Sequence, residues 1–128
     1  MKRTGLTYQN FFPRLISEVP EFQPIYEEHI NEHDELLPHV LMGALRRYVV
    51  DMFRKSLGNE SNARHLRQVV AKIFSFLESA MASSDAKLRD LVSVSFLENL
   101  DATDKVYEKI KALFGPHLKE EIEKYEQL

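Results

Sequence analysis

Apolar residues that recur at spacings of three and four constrain the fold of this chain more than any other feature. One stripe contains Leu37, Leu41, Leu45, Val49 and Met52. The next contains Leu66, Val69, Val70, Ile73, Phe74, Leu77 and Met81. Residues with these spacings lie on one side of an α-helix. The two stripes predict two long helices, and the short connection "GNES" favours an antiparallel pair.

The other segments also have helical patterns. Residues 83–100 are apolar on two sides, which predicts a central helix with Ser83 or Ser84 as its N-cap. Shorter helices are expected within residues 8–19, 21–34, 103–115 and 116–128. Gly58, just after the first long helix, is expected to adopt the left-handed conformation that often ends a helix. No strand-like alternation is present. The sequence therefore predicts an all-α fold, in which residues 1–128 form one helical bundle of about six to seven helices.

Composition excludes several classes of chemistry. The chain has no cysteine, which rules out disulfides, thiolate metal sites and cysteine nucleophiles. Its opening residues lack the apolar run of a signal peptide, and no apolar stretch is long enough for a transmembrane helix. We therefore expect a cytoplasmic protein without a membrane partner.

Charge is distributed unevenly along the chain. Between residues 18 and 35 there is no lysine or arginine, and the acidic residues there are Glu18, Glu21, Glu27, Glu28, Glu32, Asp34 and Glu35. Basic residues predominate between 46 and 72, namely Arg46, Arg47, Arg54, Lys55, Arg64, Arg67 and Lys72. The two blocks could pair with each other; if exposed, the acidic block would attract a basic protein and repel nucleic acid. We expect no nucleic-acid binding, since the acidic block and the pI near 6.0 oppose it.

The segment "HINEH", residues 29–33, matches the H-x-x-E-H pattern of inverted zinc peptidases. His29 and His33 share one helix face and could bind a metal together, with Glu32 as the acid-base group. A catalytic zinc needs a third protein ligand, for which His39, Glu98 and His117 are candidates by elimination. A helical wheel instead places both imidazoles in the middle of the apolar face, where they would donate hydrogen bonds at a helix contact. We favour that interpretation and expect no bound metal or other cofactor.

Other catalytic motifs are absent. The chain has four glycines, none arranged as a phosphate-binding loop, and no G-x-S-x-G nucleophile elbow. Ser95 and Asn99 share a stripe with Leu88 and Val92, where the serine is expected to bond to the preceding turn and the asparagine to close the helix. Gly43 lies inside a predicted helix, which favours a close helix crossing or, less often, a surface approached by a partner. With no complete catalytic motif, we expect a protein that is not an enzyme.

Two segments carry a resemblance to a known family. They are "PIYEEHINEHDELLPHVLMGALRRYV" and "LVSVSFLENL", in which the matching residues run from Glu35 to Val40, with Gly43 and Arg47–Val49, and from Val94 to Leu100. These segments resemble a family of small bacterial all-helical proteins of uncharacterised function. The resemblance implies a helical fold and a bacterial source. In size and style such proteins are similar to the immunity proteins of polymorphic toxin systems, which is an analogy.

These observations favour a protein-binding module, most concretely an immunity-like inhibitor of a bacterial toxin that acts through an acidic helical surface. The alternative is a small metal-dependent hydrolase built on His29, Glu32 and His33. The expected partner is a protein, in particular a basic toxin, whereas the oligomeric state is left open. The predicted partner-binding residues are Tyr26, Glu28, His29, Glu32, His33, Glu35, His39 and Arg47.

Overall fold

Two long helices form the centre of the fold, as the apolar stripes predict. The computed structural model describes residues 4–128, and within that range it contains seven α-helices and no β-strand. The helices are α1 (Phe11–Glu18), α2 (Gln23–His33), α3 (Pro38–Ser56), α4 (Ala63–Met81), α5 (Ala86–Val92), α6 (Tyr107–Lys111) and α7 (Pro116–Glu126). The all-α prediction is confirmed. No helix in the described range has the length and apolarity needed to cross a bilayer.

The core lies between α3, α4 and α5. Most residues of the two stripes are buried, and Leu45, Val49, Ile73 and Leu77 are all fully inaccessible to solvent, whereas Leu37 and Leu66 are half-buried. Burial of a leucine or valine side chain stabilises a fold by about 1.5–3 kcal/mol. The predicted central position of α5 is also confirmed, because its apolar residues are fully buried and it packs against both long helices.

Helix ends differ from the predictions in their capping residues. Asp85, not Ser83 or Ser84, caps α5; its Oδ1 accepts hydrogen bonds from the N–H groups of Lys87 at 3.0 Å and Leu88 at 3.4 Å. Its Oδ2 accepts a third, at 2.8 Å, from the N–H of Tyr8, 77 residues away. Gly58 does not adopt the left-handed conformation, since Gly5 has the only positive φ among the described glycines.

The helix that begins with α5 continues as a π-helical turn, Ser93–Leu97. The N–H of Glu98 donates to the carbonyl oxygen of Ser93 at 2.9 Å, five residues back instead of four. The wider turn changes the direction of each side chain, so a wheel drawn at about 100° per residue fails here. Ser95 stays inside, whereas Val94, predicted on a buried side, is 38% exposed.

Candidate functional site

Helix α2 is attached to the fold through the imidazole of His29. This residue is 6% exposed and is the only buried residue that α2 contributes. Its Nε2 accepts a hydrogen bond, 2.9 Å long, from the backbone N–H of Leu37, the residue that precedes α3. The predicted role at a helix contact is correct, but the ring accepts the hydrogen bond there instead of donating it.

The two imidazoles of "HINEH" lie against each other. Their ring centroids are 4.5 Å apart, and Nδ1 of His33 donates to the carbonyl oxygen of His29 at 2.9 Å. Burial lowers the pKa of His29, and the neighbouring charge of His33 lowers it further, with Glu32 acting in the opposite direction. The fold therefore holds His29 neutral, with its proton on Nδ1 and its Nε2 lone pair directed at Leu37.

The hydrogen bond from Leu37 occupies the nitrogen atom of His29 that a shared metal would need. A ligating imidazole offers an unprotonated nitrogen to the metal, and Nε2 of His29 already accepts from the main chain. Two of the three candidate third ligands lie in other contacts, since His39 bonds to Ser95 and His117 bonds to Glu78, and the third, Glu98, is exposed. Within residues 4–128, no three His, Asp or Glu side chains are close enough to hold a metal ion.

The exposed side of α2 and the turn that follows it are acidic. Glu28, Glu32, Asp34 and Glu35, here called the acidic surface, are all exposed. None of them makes an ion pair or a side-chain hydrogen bond with another residue in the described part of the chain. Tyr26 and His33 are half-buried on the same helix. Within residues 4–128, the basic block therefore does not pair with the acidic surface.

The positions of the charges along α2 are unfavourable for the helix itself. Glu28 and Glu32 are four residues apart, where like charges destabilise a helix, and Glu32 lies in the last turn, at the negative end of the helix dipole. Glu35, in contrast, lies just before α3, where a negative charge is favourable. Helix stability therefore accounts for the position of Glu35, but it does not account for the positions of Glu28 and Glu32.

The two segments that carry the family resemblance meet in space. Nδ1 of His39, at the start of α3, lies 2.5 Å from Oγ of Ser95 in the π-helical turn, and the two form a hydrogen bond. Ser95 is 7% exposed, so the serine is buried beneath the imidazole. The expectation that its hydroxyl bonds to the preceding turn is wrong, since the wider π turn directs it toward α3. The ring of Tyr8 lies beside that of His39, with centroids 6.4 Å apart.

Serine and histidine are also the residue types of a catalytic nucleophile and its general base. Such a pair needs a third group that orients the imidazole, and a serine that substrate can reach. His39 makes no hydrogen bond to a carboxylate in the part of the chain described, and Ser95 is covered. The contact therefore acts as a link between α3 and the π turn.

A second contact between the same segments lies two turns further along α3. Nη1 of Arg46 donates to the carbonyl oxygen of Asn99 at 3.1 Å, and Nδ2 of Asn99 donates to the carbonyl oxygen of Val94 at 3.1 Å. Asn99 therefore closes the helix end, as expected. The sequence predicts a partner-binding role for Arg47 and none for Arg46. The structure places both arginines beside the residues that follow the π turn.

The fold and these contacts define a small all-helical domain with a charged exposed helix. The chain belongs to the family described as "Domain of unknown function (DUF7674)", which matches residues 12–128. The predicted membership of an uncharacterised family is confirmed in this form. No curated protein and no solved structure matches the chain.

Proposed function

We propose that this chain is a protein-binding module whose acidic surface docks on a basic region of another protein. The observation that carries the proposal is the exposure of Glu28 and Glu32 without a cationic partner within residues 4–128. Their repulsion, and the helix dipole at Glu32, cost folding free energy. Cationic side chains of a basic partner would pair with Glu28 and Glu32 at the interface, and this attraction would offset the repulsion.

Charge of this kind acts mainly on the rate of association. Complementary potentials guide two proteins together, and the effect weakens as salt screens it. Tyr26 and His33, which are partly exposed on the same helix, would add contact area around the charges. His29 is buried and would act indirectly, by holding α2 in place.

A toxin inhibitor is the specific form of this proposal. A toxin that acts on nucleic acid needs a basic surface to bind phosphates. An acidic helix could occupy that surface and exclude the substrate. The analogy with immunity proteins points to the same class of partner.

The test is capture of partners on immobilised full-length protein, comparing the wild type with the E28Q/E32Q variant. We expect a basic protein to be retained by the wild type at about 50 mM salt and released at about 300 mM, where the Debye length is shorter. The variant should fold at least as well as the wild type, because two like charges are removed, yet retain little of this partner.

The matched control is E120Q/E123Q, which removes two exposed glutamates from α7. It should capture the partner as the wild type does. Equal loss in both variants would indicate a non-specific charge effect, and salt-independent capture would contradict the proposal. For the toxin, co-expression with a toxin encoded beside this protein should restore growth with the wild type and not with E28Q/E32Q.

A further inference from the structure

A second charged region, separate from the acidic surface, is a cleft between α3 and the residues that lead into α6. It has a volume of about 340 Å³, and Arg46, Arg47 and Arg54 line its α3 side. This volume lies within the roughly 300–1,000 Å³ of typical ligand pockets. The opposite side comes from residues 100–110.

The acidic residues of the cleft are already engaged. Asp104 binds Arg54 through both carboxylate oxygens, with Nη1 and Oδ1 3.0 Å apart. Asp101 accepts from the N–H of Thr103 at 2.9 Å and from its hydroxyl at 2.6 Å. The third, Asp51, pairs with a lysine one helical turn away at 3.1 Å. Because Thr103 is uncharged, Asp101 keeps its negative charge, and Arg46 and Arg47 are the two arginines of the cleft that pair with no carboxylate within residues 4–128.

The guanidinium group of Arg46 has only some of its hydrogen-bond donors paired. Its Nη1 binds the carbonyl oxygen of Asn99, but its Nε is buried without a hydrogen-bond acceptor among the described residues. Burial lowers the pKa of Arg46, and the adjacent charge of Arg47 lowers it further. Arg47 is exposed, and no carboxylate in residues 4–128 pairs with it. Two neighbouring guanidinium groups of this kind attract an oxyanion.

Apolar side chains form the rest of the cleft. Val50, Leu100 and Val106 line the cleft together with the arginines, and so does Tyr107. The hydroxyl of Tyr107 donates to Glu126 at 2.8 Å, and burial together with this carboxylate raises its pKa to about 12. The tyrosine therefore contributes an uncharged ring to the cleft.

We propose that this cleft binds a small organic anion, with its phosphate or carboxylate group at Arg46 and Arg47 and its apolar body against Val50, Leu100 and Val106. Both oxyanions suit the planar fork of arginine. The apolar side chains favour a ligand with a hydrocarbon or aromatic portion over inorganic phosphate. Such a site is independent of the acidic surface.

The test is titration of the ¹⁵N-labelled full-length protein at constant ionic strength with phenyl phosphate, phenylacetate and benzyl alcohol. We expect at least one of the two anions to shift the amide signals of residues 46–54 and 99–107 in a saturable way, while the uncharged alcohol does not. The anion with the higher affinity identifies the oxyanion. No saturable shift with either anion, or an equal response to benzyl alcohol, would overturn the proposal.

Arg47→Gln removes one guanidinium that has no structural partner, so the fold should be retained. Loss of a charge-assisted hydrogen bond should weaken binding about tenfold. Arg64→Gln is the matched control, since Arg64 is exposed on α4 and lies outside the cleft. It should change the affinity less than about twofold, because Arg64 does not line the cleft and salt screens the charge of an exposed side chain. Equal weakening by both variants would show general charge attraction and overturn the assignment.

Discussion

The imidazole of His29 accepts a hydrogen bond from the main-chain N–H of Leu37, and this contact joins the end of α2 to the start of α3. It requires the neutral ring, because a protonated imidazole would direct an N–H at another N–H. The position of the acidic surface therefore depends on the protonation state of one buried histidine.

We predict that this contact makes stability depend on pH. A free imidazole titrates near pH 6.5, and burial together with His33 lowers the pKa of His29 in the fold. Between those two pKa values the unfolded chain binds more protons, so stability rises with pH. The contribution is present above about pH 6.5 and is lost as pH falls through the lowered pKa.

The measurement is urea unfolding of the wild type and of His29→Gln at several pH values from 7.5 to 5. The glutamine cannot titrate, so its free energy of unfolding should change less over this range. At pH 7.5 the variant should be less stable by about 1 kcal/mol, as expected for one weakened buried hydrogen bond. Parallel pH profiles for both proteins would show that His29 does not titrate as described.

Gly43 provides a second prediction. A Cβ atom there would meet Nη1 of Arg47 at 3.5 Å, an ordinary contact with the end of a flexible side chain, so the predicted close helix crossing is wrong. Gly43→Ala should therefore stabilise the protein by about 1 kcal/mol, the difference in helix propensity. Thermal unfolding measures this change, and a lower melting temperature for the variant would contradict it.

Ser95 and His39 provide a third prediction, because their contact is one of the two that join the segments that carry the family resemblance. Ser95→Ala removes the buried hydroxyl and should reduce the free energy of unfolding by about 1 kcal/mol. In a double-mutant cycle with His39→Ala, the two losses should not add, since each variant removes the same hydrogen bond. Additive losses would mean that the two side chains act separately.

The long helices could be predicted from sequence because their apolar stripes are long and regular. The wheel also placed His29 on the apolar face, and it is buried there. What the ring binds could not be predicted, since its acceptor role depends on the turn into α3. The same applies to the contact between His39 and Ser95, which are 56 residues apart and meet only because the π turn redirects the serine. Local periodicity carries no signal for such partners.

The pairing of charged residues could not be predicted from the sequence either. The sequence gives the acidic and basic blocks, but whether they pair depends on which helices become neighbours. In the fold Arg54 binds Asp104, and Lys55 binds Asp51 on its own helix. Glu28 and Glu32 are left facing solvent. The exposed acidic surface is therefore a result of the tertiary structure, even though its residues are contiguous in sequence.

Gly115 provides the last prediction, because the carboxylate of Glu78 on α4 lies directly against it. The helix that the sequence predicts within residues 103–115 would end at Gly115; in the structure this glycine is the residue before α7, with an extended backbone. Glu78 accepts from the N–H groups of His117 at 2.7 Å and Leu118 at 3.1 Å, so it caps α7 from another helix. A Cβ at Gly115 would lie 2.6 Å from Cδ of Glu78.

Gly115→Ala should therefore displace the carboxylate and cost about 0.5–2 kcal/mol, the usual loss when a helix cap is removed. Glu78→Ala should cost a similar amount and also free the space that the new methyl group needs. Adding Gly115→Ala to Glu78→Ala should then have almost no further effect. Urea unfolding of the single and double variants measures this coupling. If Gly115→Ala lowers the free energy of unfolding equally in the Glu78→Ala background, then the backbone conformation at residue 115, and not the cap, requires a glycine.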